Sequence, residues 1–84
     1  YSAFFENDRT TPTGLAGYLR SRGVGKLTLV GLATDYCVAY SALDAARLEF
    51  RATVLEGATR AIDLNGSLAE ARDKMRAAGV ALED

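Results

Sequence analysis

Apolar side chains along this chain alternate between two spacings, and the alternation predicts an architecture. Leu15, Tyr18 and Leu19 fall at i, i+3 and i+4, an apolar stripe on a first helix that Thr11-Pro12 opens and Gly23 closes. Proline in a first helical turn loses no hydrogen bond, and glycine adopts the left-handed conformation that ends a helix. Leu27 to Val30 is a short, mainly apolar run bounded by glycines, the pattern of a strand covered on both faces. Helical spacing returns at Val38, Ala39, Ala42, Leu43, Ala45 and Ala46, which predicts a largely buried helix from Thr34 or Asp35 to about Leu48. Thr34 suits the N-cap of that helix, and Asp35 suits the positive end of its dipole.

The second half repeats the rhythm. Ala52 to Leu55 reads as another strand, and residues 60–66 as a longer connection. Ser67 and Glu70 have capping-box spacing, in which each side chain satisfies a backbone donor of the other. Leu68, Ala71, Met75 and Ala78 supply the inner face of a third helix, Gly79 ends it, and Val80 to Leu82 makes a last strand. Residues 5–11 are polar and read as a loop. Short strands joined through helices imply parallel pairing, because parallel neighbours need a crossover. Three such strands normally have both faces covered and continue sideways. Residues 1–84 therefore read as one half of a doubly wound, mainly parallel α/β sheet with helices on both faces. The opening Tyr1-Ser-Ala-Phe-Phe5, apolar and without Met, fits a piece of a larger chain.

Composition narrows the function. Hydrophobic residues make up 49% of the chain, enough for a core, which excludes disorder. A net charge of −1 with both signs interspersed excludes the electrostatic footprint of a nucleic-acid binder. No apolar run reaches the length of a membrane span, and no signal-peptide layout is present. A single cysteine forms no internal disulfide, so a cytoplasmic, reducing setting is expected. Histidine is absent, so a histidine base or metal ligand must come from elsewhere.

The candidate chemistry lies in Gly31-Leu-Ala-Thr-Asp-Tyr-Cys-Val38, where a strand runs into a helix whose first turn holds Cys37. Ligands of open α/β sheets bind at the carboxyl ends of the strands, which is where this thiol is expected. Free N–H groups and the dipole at a helix start favour the thiolate, and the same groups can receive an oxyanion. A lone cysteine among Ala and Val is equally an inert core residue. Position alone leaves both readings open, the second being a non-catalytic α/β interaction module.

The segment Gly31–Val38, followed by Ala42-Leu-Asp-Ala45, resembles the nucleophile region of the isochorismatase-like cysteine hydrolases, most closely the nicotinamidases. Tyr1-Ser-Ala-Phe-Phe5 resembles the segment that follows the catalytic lysine of those enzymes. The resemblance implies a Rossmann-like three-layer α/β/α fold, with residues 1–84 as the C-terminal part of the domain. It implies hydrolysis of nicotinamide to nicotinate and ammonia in NAD salvage. Cys37 matches the nucleophile, and Ala33 matches the residue whose backbone N–H completes the oxyanion hole, after a cis Leu32–Ala33 peptide bond. Tyr1, Phe4, Leu32 and Tyr36 match positions lining the substrate pocket, and Phe4 and Leu32 equally suit a core. Asp44 matches a family position but reads as structural, and Arg60 as a solvated loop charge. The family's aspartate base, its lysine and the Asp/His cluster holding a divalent metal (zinc, iron or manganese) lie upstream of the Tyr1 segment. Asp35, Lys26 and Lys74 match none of them, so no metal ligand is expected within residues 1–84. Other amides, carbamoyl compounds, maleamate and isochorismate are alternative substrates within the superfamily. The expected partner is a small-molecule amide, with a homo-oligomer possible and neither nucleic acid nor membrane involved.

Overall fold

The computed structural model describes residues 2–6, 8 and 10–83. Their elements follow the expected order: α1 (Leu15–Ser21), β1 (Lys26–Leu32), a single π-helical turn (Thr34–Val38), α2 (Ala39–Arg47), β2 (Arg51–Arg60), α3 (Ser67–Ala77) and β3 (Ala81–Glu83). The three strands form one parallel sheet in the order β1-β2-β3. Each strand-to-strand connection carries one helix, as parallel pairing requires.

Both crossover helices pack against the sheet and against each other, and the core lies between them and the strands. Ala42, Ala45, Val54 and Met75 are fully buried. Alanine at the two α2 positions lets the helix backbone approach β2 closely, while Met75 of α3 fills the remaining space. Phe4 stacks on Phe50 with ring centroids 5.8 Å apart and 28° between planes, which brings the N-terminal segment into the same core. In β1, Leu27 and Leu29 pack on this core, whereas Thr28 is exposed and Val30 is 55% exposed. That alternation belongs to a strand with one covered face here, unlike the two-sided burial that its apolar run suggested.

The register explains how the sheet opens toward one end. Leu27 sits opposite Ala52 and Leu29 opposite Val54, but Gly31 then pairs with Thr59. Val30 alone on β1 thus spans the four residues 55–58 of β2, a bulge near the carboxyl ends of the strands. Gly31 has φ 111°, a conformation that side chains disfavour, which is why glycine occupies the bend. The half-buried Glu56 of the bulge is tied down by Arg72 of α3, Nε to Oε1, at 2.6 Å.

Two expected boundaries move: β2 runs on to Arg60 instead of ending at Leu55, and α1 starts late. Pro12 bridges Phe5 in an antiparallel loop closed by the Glu6 amide on the Thr11 carbonyl and the Thr13 amide on the Phe4 carbonyl. The helix therefore starts three residues later, at Leu15. With only seven residues it presents Leu15, Ala16 and Leu19 to the core and leaves Tyr18 61% exposed. Helix α2 ends with Glu49 at φ 71°, its amide on the Ala46 carbonyl and the Phe50 amide on the Ala45 carbonyl. This C-terminal motif turns the chain sharply and delivers Phe50 into the core.

Truncating Met75 to alanine removes a fully buried side chain at the α3–sheet contact. Met75→Ala is expected to lower the unfolding free energy by about 2–5 kcal/mol in a denaturant titration. A loss under about 1 kcal/mol would show that α3 does not carry the core in this way.

Candidate active site

Strand β1 leaves the sheet through Gly31 and Leu32, and the Leu32–Ala33 peptide bond is cis, as the resemblance implies. Ala33 is extended, with φ −105° and ψ 145°, and the π turn begins at Thr34. Its carbonyl accepts from the Tyr36 amide at 3.1 Å and from the Val38 amide, five residues on, at 3.0 Å. These are the two neighbours of Cys37. The helix expected to start at Thr34 or Asp35 is therefore α-helical only from Ala39, with a wider turn inserted ahead of it. Cys37 lies half-buried in that turn, at the carboxyl end of β1.

Asp35 determines how the turn is held. Its side chain is only 7% exposed. The Ile62 amide donates to Oδ1 at 3.0 Å, while the Asp63 amide at 2.6 Å and the Ser67 hydroxyl at 2.5 Å donate to Oδ2. Ile62 and Asp63 belong to the segment between β2 and α3, and Ser67 is the first residue of α3. Burial by itself would push the carboxyl up. The hydrogen bonds from Ser67, Ile62 and Asp63 outweigh it and hold the group below the ordinary 3.8.

This clamp also accounts for a capping box that does not form. Gly66, at φ 83°, precedes the first helical residue, and Ser67 donates to Asp35 while accepting from the Leu64 amide at 2.8 Å. Asp63 accepts from the Leu68 amide instead, at 3.2 Å, and Glu70 pairs with Lys74 at 3.0 Å. Asp35 and Ser67 each have the residue type of a helix cap. Their pairing across 32 positions leaves no local signal, so the spacing of side chains did not reveal it.

The remaining candidates separate into three places. Ala33 is buried beside the turn, and Leu32 is 73% exposed on a shallow groove with Gly31, Gly57, Ala58, Thr59 and Arg60. The Arg60 guanidinium donates to the Thr59 carbonyl at 2.6 Å and the Gly57 carbonyl at 3.1 Å, which fixes it to the bulge. Tyr36 is half-buried and lines a second groove between α2 and α3, together with Asp35, Tyr40, Leu43 and Ser67. Phe4 is buried in the core stack with Phe50. Tyr1 lies outside the described residues. Asp44 makes an i,i+3 ion pair with Arg47 at 3.4 Å, and Lys26 begins β1 at the far end of the strand from Cys37.

Among the described residues no three of His, Cys, Asp and Glu converge as a metal site, and the chain has no histidine. The described residues alone offer no ligand set for a bound metal. Among the same residues, no helix is long and apolar enough to cross a membrane.

Comparison with known proteins places this geometry in context. The family model described as the isochorismatase domain matches residues 1–84. A nicotinamidase of Acinetobacter baylyi is 52% identical over 80 residues, which are 95% of this chain and 37% of that protein. The structure of an Acinetobacter baumanii nicotinamidase/pyrazinamidase superposes with a TM-score of 0.97 at 51% identity, covering 100% of this chain and 41% of the other. An L. infantum protein crystallised with nicotinate superposes with a TM-score of 0.90 at 38% identity, covering 98% of this chain and 40% of its own. A Pyrococcus horikoshii pyrazinamidase in complex with zinc gives a TM-score of 0.75 at 33% identity, over 82% of this chain and 38% of its own. The chain spans about two fifths of the length of these proteins.

The Asp35 clamp makes stability pH-dependent. Because the folded carboxyl titrates below its unfolded value of 3.8, its contribution is complete above that value and is lost as pH falls through the folded one. Asp8 titrates in the same acid range, held at about 2 chiefly by the Thr11 hydroxyl and then by the Thr11 and Thr10 amides. Subtracting the stability profile of Asp35→Asn from that of the wild type isolates the clamp. The difference should be constant from pH 5 to 7 and shrink below about pH 4. A difference that does not change with pH would show that Asp35 is not ionised in the fold.

Proposed function

This chain belongs to the isochorismatase domain family, and on that premise we propose that it is the nucleophile-bearing part of an amidohydrolase converting nicotinamide to nicotinate and ammonia. The observation that carries the proposal is the placement of Cys37. Its thiol is half-buried in the first turn after a parallel strand, where sheets of this kind bind their ligands. The high identity to a nicotinamidase supports the choice of substrate, as does the nicotinate bound by a relative of the same fold.

In the proposed reaction the Cys37 thiolate attacks the amide carbon, forming a C–S bond and placing negative charge on the carbonyl oxygen. The backbone N–H groups of Ala33 and Cys37 receive that charge, an arrangement supported by a turn whose bonds to the Ala33 carbonyl come from Tyr36 and Val38. Collapse of the tetrahedral species breaks the C–N bond, and a proton leaves with the nitrogen as ammonia. Water then adds to the thioester and releases nicotinate, regenerating the thiol. Dividing one amide cleavage into two acyl transfers lowers the barrier of each. Leu32, exposed in the β1–β2 groove, is the apolar wall offered to a flat pyridine ring in this reading, while Phe4 serves the core stack and Tyr36 lines the separate α2–α3 groove.

The base that takes the thiol proton, the lysine and the ligands of a zinc-type divalent metal belong, in this proposal, to residues beyond these 84. Asp35 is occupied by three donors and is not offered as the base. When bound, such a metal would supply Lewis-acid polarisation near the substrate.

The test is ammonia release from nicotinamide by the intact protein. Cys37→Ala and Cys37→Ser are each expected to lose at least about a hundredfold in kcat/KM while remaining folded. Undiminished turnover by Cys37→Ala would sink the proposal. Parallel assays on maleamate and carbamoyl amides fix the substrate, since a higher kcat/KM on one of those would reassign it.

A further inference from the structure

Asp35 and Cys37 share the π turn two residues apart. At α-helical winding, two residues amount to about 200° of rotation, so their side chains leave opposite sides of the turn. The surroundings agree. Asp35 points into the segment between β2 and α3 and lines the α2–α3 groove, and Cys37 does not line that groove. Rotation of the turn about its own axis would therefore swing the thiol and the carboxylate together.

We infer that Asp35 is a positioning residue: clamped by Ile62, Asp63 and Ser67, it fixes the rotation of the turn and holds Cys37 Sγ toward the carboxyl end of β1. The inference rests on the reading of Cys37 as nucleophile and goes beyond it, since it assigns the control of thiol orientation to a segment about 30 residues away. The clamp is anchored at both ends. Thr34 is buried beside Asp35, and Ser67 is also fixed by the Leu64 amide, so displacement of the 62–67 segment would be felt at the thiol. Asp63 and Asn65 of that segment adopt left-handed conformations at φ 55° and 52°.

The test compares Asp35→Asn, Ser67→Ala, their double variant and the exposed control Asp73→Asn in the intact protein. Steady-state turnover of nicotinamide and the native-state rate of Cys37 alkylation by iodoacetamide are read together with the melting temperature. Asp35→Asn presents an amide donor to the Asp63 N–H, so kcat should fall at least tenfold with KM within about threefold of wild type. The alkylation rate should change at least fivefold. Ser67→Ala should shift both in the same direction by a smaller factor. The double variant should be no worse than Asp35→Asn alone, because Ser67 acts through the carboxylate. Wild-type kcat and alkylation rate in a folded Asp35→Asn would overturn the inference whatever its melting temperature, and so would a raised KM at unchanged kcat. If Asp35→Asn does not fold, Ser67→Ala decides by the same criteria. Full turnover by Cys37→Ala would defeat the functional reading alone, while the alkylation comparison would still report on the clamp.

Discussion

A buried carboxylate bound by the Ile62 and Asp63 amides and the Ser67 hydroxyl of one remote segment is the interaction on which this arrangement depends. Asp35 lies at the junction of sheet and helix, and the groups it binds lie at the start of the next crossover helix. Without them a charge would sit desolvated beneath the turn. With them, the end of β1 and the start of α3 become one rigid unit. The helix α2 between the two is then held through the turn ahead of it by hydrogen bonds and along its length by packing.

The sheet contributes the opposite quality. Its buried pairs, Leu27 with Ala52 and Leu29 with Val54, keep strict register and occupy the half remote from the site. Past Leu29 the register shifts at the bulge of residues 55–58, pairing resumes with Gly31 on Thr59 and Leu32 on Arg60, and β1 bends at Gly31 toward the turn carrying Cys37. Regular pairing provides stability at one end of the sheet, and its interruption provides a concave surface at the other. The Arg72–Glu56 pair keeps the interruption from spreading.

Much of this was legible in the chain. Apolar runs of four residues and alanine-rich helical spacing were enough for the strand order and parallel pairing, because they depend on local periodicity. Gly23 and Gly79 end helices in left-handed conformations at φ 73° and 89°, as their positions indicated. The misjudged features were those in which a residue's local preference yielded to a distant partner. Thr34 and Asp35 suited an ordinary helix start, but the turn widened and Asp35 was taken by the 62–67 segment. Ser67 and Glu70 suited a reciprocal cap, but Ser67 was claimed by Asp35 and Glu70 by Lys74. Tyr18 had the spacing of a core residue on a helix too short to bury it. Cys37 was proposed as the nucleophile from the residues around it, since spacing alone did not separate a reactive thiol from an inert one.

The alanines of α2 have one more consequence. Ala42 and Ala45 are completely enclosed, and Ala39 nearly so, on the face of the helix that continues from the Cys37 turn. Alanine has no side-chain torsion to change, so this contact has no alternative rotamers and loses no side-chain entropy on packing. Adjustment under the thiol cannot occur one side chain at a time. Movement of the helix beneath the Cys37 turn must carry it as a rigid body across the sheet, a collective displacement on the microsecond-to-millisecond scale.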